Sequence, residues 1–293
     1  MTINRILLLC GAAFAVSSFT PATAQEQTDS ILEIRLIDGS TLYGVLLDDS
    51  EHDAETAHIR LLSGDEMLIA RARIRTISPA AGPLREGEFW RDDPNLTRLF
   101  FAPTARTMPK GGGYIAAYEL LFPFVAVGVS DNLLLAGGTP IFGDIIDDRV
   151  VYFAPKLRVF SSERTDSALG GFLFTEVGNE YSNFNAGALY GVLTRSTSDR
   201  AVSLGVGAAY DDDGFLDEPI VMLGAAFRVS RTIKLITENY FIPDVSLITF
   251  GPRFFGERLS ADLGIGLFIE NRDVFTVPIV NFVYVGQARA DCR

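Results

Sequence analysis

Residues 201–210 read AVSLGVGAAY, and their alternation decides the fold class. Val202, Leu204, Val206, Ala208 and Tyr210 fall on one face of an extended chain. Ala201, Ser203, Gly205, Gly207 and Ala209 fall on the other, because successive side chains of a strand point to opposite sides. Residues 259–267, LSADLGIGL, repeat the pattern, with Leu259, Ala261, Leu263, Ile265 and Leu267 set against Ser260, Asp262, Gly264 and Gly266. In a soluble sandwich the second face would carry many Lys, Glu and Thr. Here it is mostly Gly, Ala and Ser with isolated charges. Small residues suit a crowded, curved interior, and an apolar outer face suits lipid.

Outward from these two segments, residues 114–286 contain no apolar run of the roughly 18 residues that a spanning helix needs. Strand-like stretches of about 8–12 residues recur instead, as in membrane barrels. Short turns are expected at 130–132, 163–166, 196–200, 231–232 and 256–258, and longer ones at 141–148, 179–184, 211–218, 241–246 and 271–275. With a bend at 121–123, these predict about twelve antiparallel strands whose connections alternate short and long. In this pattern the region resembles the outer-membrane β-barrel proteins of Gram-negative bacteria. The resemblance implies a barrel with periplasmic short turns, lipid and lipopolysaccharide as surroundings, and aromatic girdles. Phe124, Tyr152, Phe160, Tyr190, Tyr210, Tyr240, Phe268, Phe275 and Tyr284 are the candidates for the girdles. Such barrels usually end on an aromatic residue, and this chain departs from that with a tail, residues 287–293.

Strand parity assigns Glu119, Lys156, Arg158, Arg195, Arg228, Glu238, Arg253 and Asp262 to the interior, with Lys234 beside them. Lipid-facing charge at mid-bilayer costs about 2–4 kcal/mol. An Arg-lined pore or ligand site is one reading, and a salt-bridged plug is the other. Acidic members are available to pair and unpaired buried charge is costly, which favours the plug. The barrel region has no His and no Cys. Outer-membrane enzymes of this architecture generally use a His as proton carrier, so no catalytic residue is assigned. The run Asp211-Asp212-Asp213-Gly214 through Asp217 and Glu218 resembles a short calcium loop, with Asp211, Asp213, Asp217 and Glu218 as oxygen donors. It lacks full EF-hand spacing, and an exposed acidic loop is the competing reading. Asp144, Asp147 and Asp148 form a second acidic loop.

The N-terminus has the form of a secretory signal peptide: Arg5, an apolar stretch, and Ala22 and Ala24 at the positions a signal peptidase reads, with cleavage expected after Ala24. Removing residues 1–24 removes Arg5 and Cys10, which takes the net charge from −12 to −13. One Cys, Cys292, then remains, so no intrachain disulfide is expected. A chain this acidic is a poor partner for nucleic acid.

Residues 25–79 have the pattern of a small β domain. The runs RLIDGSTLYGVLLDD and IRLLSGDEMLIARARIRTI predict five short strands joined by Asp38-Gly39 and Ser63-Gly64-Asp65 turns. This resembles the Sm-like fold, a small, strongly bent barrel. Sm proteins form rings and bind RNA through polar loops, but here the loops are acidic (Asp48, Asp49, Glu51; Asp65, Glu66). The expected partner is therefore peptidoglycan or a periplasmic protein. His52, Asp53, Glu55 and His58 are a weak metal candidate, because their spacing fits no ligand template.

Residues 80–113 form a connector rich in Pro, Gly and Arg. Its stretch NLTRLFFAP is too apolar for a free linker. Leu99, Phe100 and Phe101 are expected to dock at the mouth of the barrel, with Arg98 and Arg106 meeting lumen carboxylates such as Glu238 or Glu119. The whole is thus an all-β chain, a small five-stranded Sm-like barrel followed by a transmembrane barrel of about 12 strands. The expected function is non-enzymatic, serving envelope structure or the binding or passage of a small solute. A soluble barrel binding an apolar ligand is the alternative, and an outer-membrane enzyme the disfavoured one. No cofactor is expected apart from Ca at the acidic loop.

Overall fold

The structure, a computed structural model, describes residues 31–47, 55–80, 82, 84–85, 88–141, 149–177, 185–243, 245–270 and 273–286. The expected signal peptide, the tail, the loop at 48–51, the acidic loop at 144–148, and His52 and Asp53 lie outside these residues. The chain divides into two compact units, residues 1–80 and 81–293.

The first unit is one antiparallel sheet. Its strands are β1 (Leu32–Leu36), β2 (Thr41–Leu46), β3 (Thr56–Leu61), β4 (Glu66–Ala70) and β5 (Ile74–Pro79), in the order β4-β3-β2-β1-β5. Alternation turns Ile34, Leu36, Ala57, Ile59 and Ile69 to one buried face. The β1–β2 turn needs Gly39, whose φ of 91° is left-handed. The hydroxyl and amide of Ser40 both donate to Asp38, which holds that exposed carboxyl below the usual range. Edge strands β4 and β5 are joined by a 3-10 turn at Arg71–Arg73 and do not pair with each other. The unit is therefore a five-stranded sheet whose barrel is left open along that seam.

The second unit begins with a two-stranded ribbon, β6 (Leu84–Arg85) and β7 (Glu88–Phe89). Thirteen further named strands follow: β8 (Gly113–Tyr118), β9 (Phe122–Gly128), β10 (Leu133–Gly138), β11 (Arg149–Phe153), β12 (Lys156–Ser161), β13 (Thr165–Val177), β14 (Asn185–Ser196), β15 (Arg200–Asp211), β16 (Gly214–Arg228), β17 (Ile233–Ile242), β18 (Val245–Phe255), β19 (Leu259–Glu270) and β20 (Asp273–Gly286). Strands β11 and β12 both lie between β10 and β13. They are halves of one strand, broken where Pro155 has no N–H for the ladder. Each strand otherwise pairs with its sequence neighbours, and β20 closes on β8 with Gly286 opposite Gly113. The result is a closed barrel of twelve antiparallel strands.

The two faces follow the parity of the sequence. Val202, Leu204 and Val206 are exposed on the outside, while Ser203 is buried inside. Leu263 and Ile265 point out, and Ser260 and Asp262 point in. Large apolar side chains are exposed on strands all round the ring, among them Val125, Leu169, Leu189, Phe250 and Phe282. Water would not tolerate such a belt, and a bilayer requires it.

Two expectations need correction. The connections do not alternate short and long throughout. Residues 211–218 form a tight hairpin, with Asp211 opposite Gly214 and β16 continuing through Asp217 and Glu218. Ile242 pairs with Val245 and Glu270 with Asp273, so those hairpins are tight as well. What looked like loops is strand: most strands from β13 onward run past the 9–11 residues that cross a bilayer, and their polar ends project beyond it. Nor do all the chosen aromatics face lipid. Phe124 and Tyr152 are buried in the interior, and Tyr190 and Tyr240 pack against an interior cluster. Position near a strand end does not decide the face, whereas parity does. Phe160, Phe275 and Tyr284 do face outward.

Candidate functional site: the lumen and the segment inside it

A twelve-stranded barrel is wider than the eight-stranded kind that side chains alone can fill. Here the connector fills the space. Residues 97–104 form a miniature hairpin, in which the Leu99 N–H donates to Ala102 O at 2.9 Å and the Thr104 N–H to Thr97 O at 3.0 Å. Its tip residues, Leu99 and Phe100, are fully buried against Met222, Ile236 and Ile279. The wall makes room with glycine: a Cβ on Gly224 would lie 2.1 Å from Leu99 Cδ1, and one on Gly264 would lie 3.3 Å from Phe100 Cζ.

Lumen charges hold this segment from several sides. Arg253, on β18, makes two hydrogen bonds to Asp262 at 2.6 and 2.9 Å. It also donates to the carbonyls of Asn95 and Leu99, at 2.8 and 2.5 Å, and to Asp93 at 3.3 Å. Lys234 reaches the same Asp93 oxygen at 3.3 Å. One oxygen of Glu238 accepts the backbone N–H groups of Phe101 and Ala102, both at 2.9 Å, while the other accepts the Tyr240 hydroxyl at 2.8 Å. Lys156 donates to Thr97 O and Thr104 O, both at 2.9 Å. Thr194 receives the Ala105 N–H at 2.9 Å, and Asn281 donates to Phe100 O at 3.3 Å. Arg228, nearer the short turns, donates to Arg91 O at 2.7 Å and lies over Trp90 at 5.0 Å. These partners sit on β12, β14, β16, β17, β18, β19 and β20, so the segment lies within the ring.

The expected residues divide accordingly. Lys156, Arg228, Glu238, Arg253 and Asp262 point inward and meet the segment or one another. They bind its backbone more than they pair among themselves, because the inserted hairpin offers carbonyls and amides that the wall's ladder has already used up on its own strands. Arg158 is also on the inner side, at the short-turn end, donating to Asp131 O at 2.9 Å with Asp166 at 3.8 Å. Arg195 is exposed on the outer face, since its neighbours Thr194 and Ser196 are the buried ones. It stands one residue from the end of β14, where a long cation reaches the interface. Glu119 is not in the network. It sits in the β8–β9 turn with a φ of 50°, its N–H donated to Asn281 at 3.1 Å.

Leu99, Phe100 and Phe101 dock well inside the barrel rather than at its mouth. Arg98 and Arg106 do not reach Glu238 or Glu119. Arg106 bonds Ser196 and lies 3.8 Å from Asp166. Arg98 donates to Phe101 O at 2.7 Å and to the Tyr114 hydroxyl at 3.3 Å, and lies over Phe124 at 4.5 Å and Phe172 at 5.3 Å.

Among the described residues no group of three or more His, Cys, Asp or Glu side chains is placed to hold a metal ion. Asp211 accepts the N–H of Asp213, while Asp217 and Glu218 lie further along β16, because the tight hairpin spreads these carboxylates along a strand. His58 is 3.3 Å from Glu66, a cross-strand neighbour, and Glu55 lies beside β3.

Asp93, Thr97, Thr194, Asn281, Tyr114 and Tyr118 were not foreseen. One signal pointed to the first of them: six basic residues, Lys234 included, against three acidic ones in the expected lumen demand a further carboxylate, and the connector carries Asp92-Asp93 just before its apolar stretch.

Two cavities adjoin the segment, both lined by Arg98. One, of about 570 Å³, lies towards the short turns and is bordered mostly by polar and charged residues, among them Asp93, Arg106, Ser196 and Arg200. The other, of about 230 Å³, is walled by aromatic rings.

No protein-family model matches the chain, and no curated protein matches it. Among solved structures, KdgM porin is similar at 9% identity, with a TM-score of 0.44 over 60% of this chain and 98% of that one. The KdgM porin in complex with disordered oligogalacturonate is similar at 8% identity, with a TM-score of 0.45 over the same shares. A variant of OccD1 (OprD) is similar at 9% identity, with a TM-score of 0.38 over 85% of this chain and 79% of that one. The chain's own closed ring, apolar exterior and filled polar interior are those of an outer-membrane β-barrel.

Proposed function

We propose that the chain is a non-enzymatic barrel of the Gram-negative outer membrane whose inserted hairpin restricts the passage of small solutes. The carrying observation is the clamp of Asp93, Lys234, Arg253 and Asp262 on a segment that separates a vestibule bordered mostly by polar and charged residues from an aromatic cavity. Both cavities touch Arg98, so a solute crossing the barrel would pass that side chain. The non-enzymatic reading rests on the missing His and Cys of the barrel region and on the use of the buried carboxylates as backbone anchors. Residues 1–24 would direct export. The five-stranded unit would be an Sm-like module held in the periplasm, facing peptidoglycan or a protein rather than RNA because its loops are acidic. Lipopolysaccharide is the expected neighbour of the outer rim, and divalent ions such as Ca would bridge it to the acidic strand ends.

The test uses the full chain. It should stay in the outer-membrane fraction through a carbonate wash, migrate differently on gels before and after heating, and let small sugars into liposomes slowly. Recovery as a soluble periplasmic monomer would end this reading.

A further inference from the structure

The aromatic cavity lies on the loop side of the inserted hairpin, and its wall is almost wholly carbon. Apart from Arg98 and Glu119, every residue lining it is Phe or Tyr. Phe124, Tyr152 and Phe172 form a panel of near-parallel rings with centroids 6.0 to 6.5 Å apart, and Tyr118 stands edge-on to Phe124 at 5.5 Å. Such a wall offers a guest both ring faces and ring edges. The polar atoms are turned away from it. Arg98 directs hydrogen bonds to the Phe101 carbonyl and the Tyr114 hydroxyl, and the Tyr118 hydroxyl is sealed. A guest of either charge is disfavoured. Glu119 at the rim opposes an anion, and Arg98, already over Phe124 at 4.5 Å and Phe172 at 5.3 Å, opposes a cation. At about 230 Å³ the space exceeds the roughly 150 Å³ of an apolar cavity that holds benzene, so one ring with a few added carbons fits.

The barrel wall beside this cavity is low. Strands β8, β9 and β10 have 6, 7 and 6 residues, fewer than the roughly 9–11 that cross a bilayer. The β8–β9 turn stops level with Asn281, while β20 continues to Asp273. Leu120 and Leu121, in that turn, are exposed, and Phe122 after it lines the cavity. An uncharged aromatic molecule concentrates in hydrocarbon rather than in water, and only this low apolar sill stands between the lipid and the cavity on that side.

We propose that this cavity binds a small uncharged aromatic molecule of the toluene class, held by ring-to-ring contact with Phe124, Tyr152 and Phe172. Binding needs only the cavity, so it goes beyond the restricted passage of solutes and holds whether or not the barrel conducts.

The experiment equilibrates the full chain in lipid nanodiscs with toluene vapour and measures uptake. Partition into lipid rises linearly with vapour pressure, as empty nanodiscs calibrate, so a saturable part belongs to the protein. That part should reach one toluene per chain. Methylcyclohexane, of like size but without a π system, should bind about two- to tenfold more weakly, the fold-change that ring-to-ring contact is worth. Benzoate and benzylammonium should not displace toluene. Phe122→Trp with Phe174→Trp, which narrows the cavity without touching the Arg253 clamp, should weaken saturable uptake at least about tenfold while leaving heat-modifiable migration intact. If that variant does not fold, methylcyclohexane and the two ions decide. Uptake with no saturable part, as when a lipid acyl chain fills the site, would overturn the proposal. So would methylcyclohexane binding as tightly as toluene, displacement by either ion, or normal uptake by the folded double variant. Failure of the outer-membrane reading shows separately, in the fractionation.

Discussion

Replacing Arg253 with Met is expected to destabilise the barrel unit by about 3–5 kcal/mol, the usual cost of removing one member of a buried ion pair. The substitution leaves Asp262 sealed without its cation, leaves Asp93 with Lys234 alone, and strips donors from the Asn95 and Leu99 carbonyls. Arg253→Lys should fall between, since a point charge cannot reproduce two parallel bonds to Asp262 while reaching the segment. Removing both charges, in Arg253→Met with Asp262→Leu, should cost much less than Arg253→Met alone, because no charge is then stranded. The temperature at which the folded gel form converts to the unfolded one reads all three. Equal costs for the single and double variants would show that the pair is not the buried unit described.

The second large effect concerns the lumen itself. Residues 93–105 replaced by a Gly/Ser linker of the same length should leave the ring intact, since every strand pairs with wall neighbours and not with the segment. Lys156, Lys234, Glu238 and Arg253 would then face water instead of a packed hairpin, and a twelve-stranded barrel is wide enough to keep that water. In a planar bilayer the variant should give large conductance steps where the full chain gives small ones. Identical conductance from both would mean that the segment does not obstruct the lumen.

Much of this was legible beforehand because a barrel wall is a local code. Parity placed Val202 and Leu263 outside and Ser203 and Asp262 inside, and it needed nothing beyond the neighbouring residues. The five strands of the first unit were legible for the same reason. Parity was misread at Arg195: it was counted with the inward set, but the alternation that buries Thr194 and Ser196 puts it outside with Leu193, at a strand end where a long cation reaches the interface. The aromatics went astray for a related reason, since Phe124 and Tyr152 were placed by distance from a turn when their side of the strand was the deciding fact. The lumenal hairpin was only half legible. Its apolarity said that it docks, but its partners Glu238, Arg253 and Thr194 lie 89 to 160 residues away along the chain, and such contacts leave no periodicity. Tyr118 and Arg98 look ordinary in sequence. Only the closed ring shows that both are buried in its interior.

The central claim is that the connector occupies the barrel interior, and a disulfide trap tests it most directly. In a Cys292→Ser background, Leu99→Cys with Gly224→Cys places two thiols where the Leu99 side chain now lies against the bare backbone of Gly224. Oxidation in intact cells should close an intrachain bond that makes the heat-unfolded, unreduced chain run faster on a gel, while Leu99→Cys paired with an outward position such as Leu223→Cys should not. Two free, freely labelled thiols in the first variant would contradict the account, because the hairpin would then lie outside the barrel.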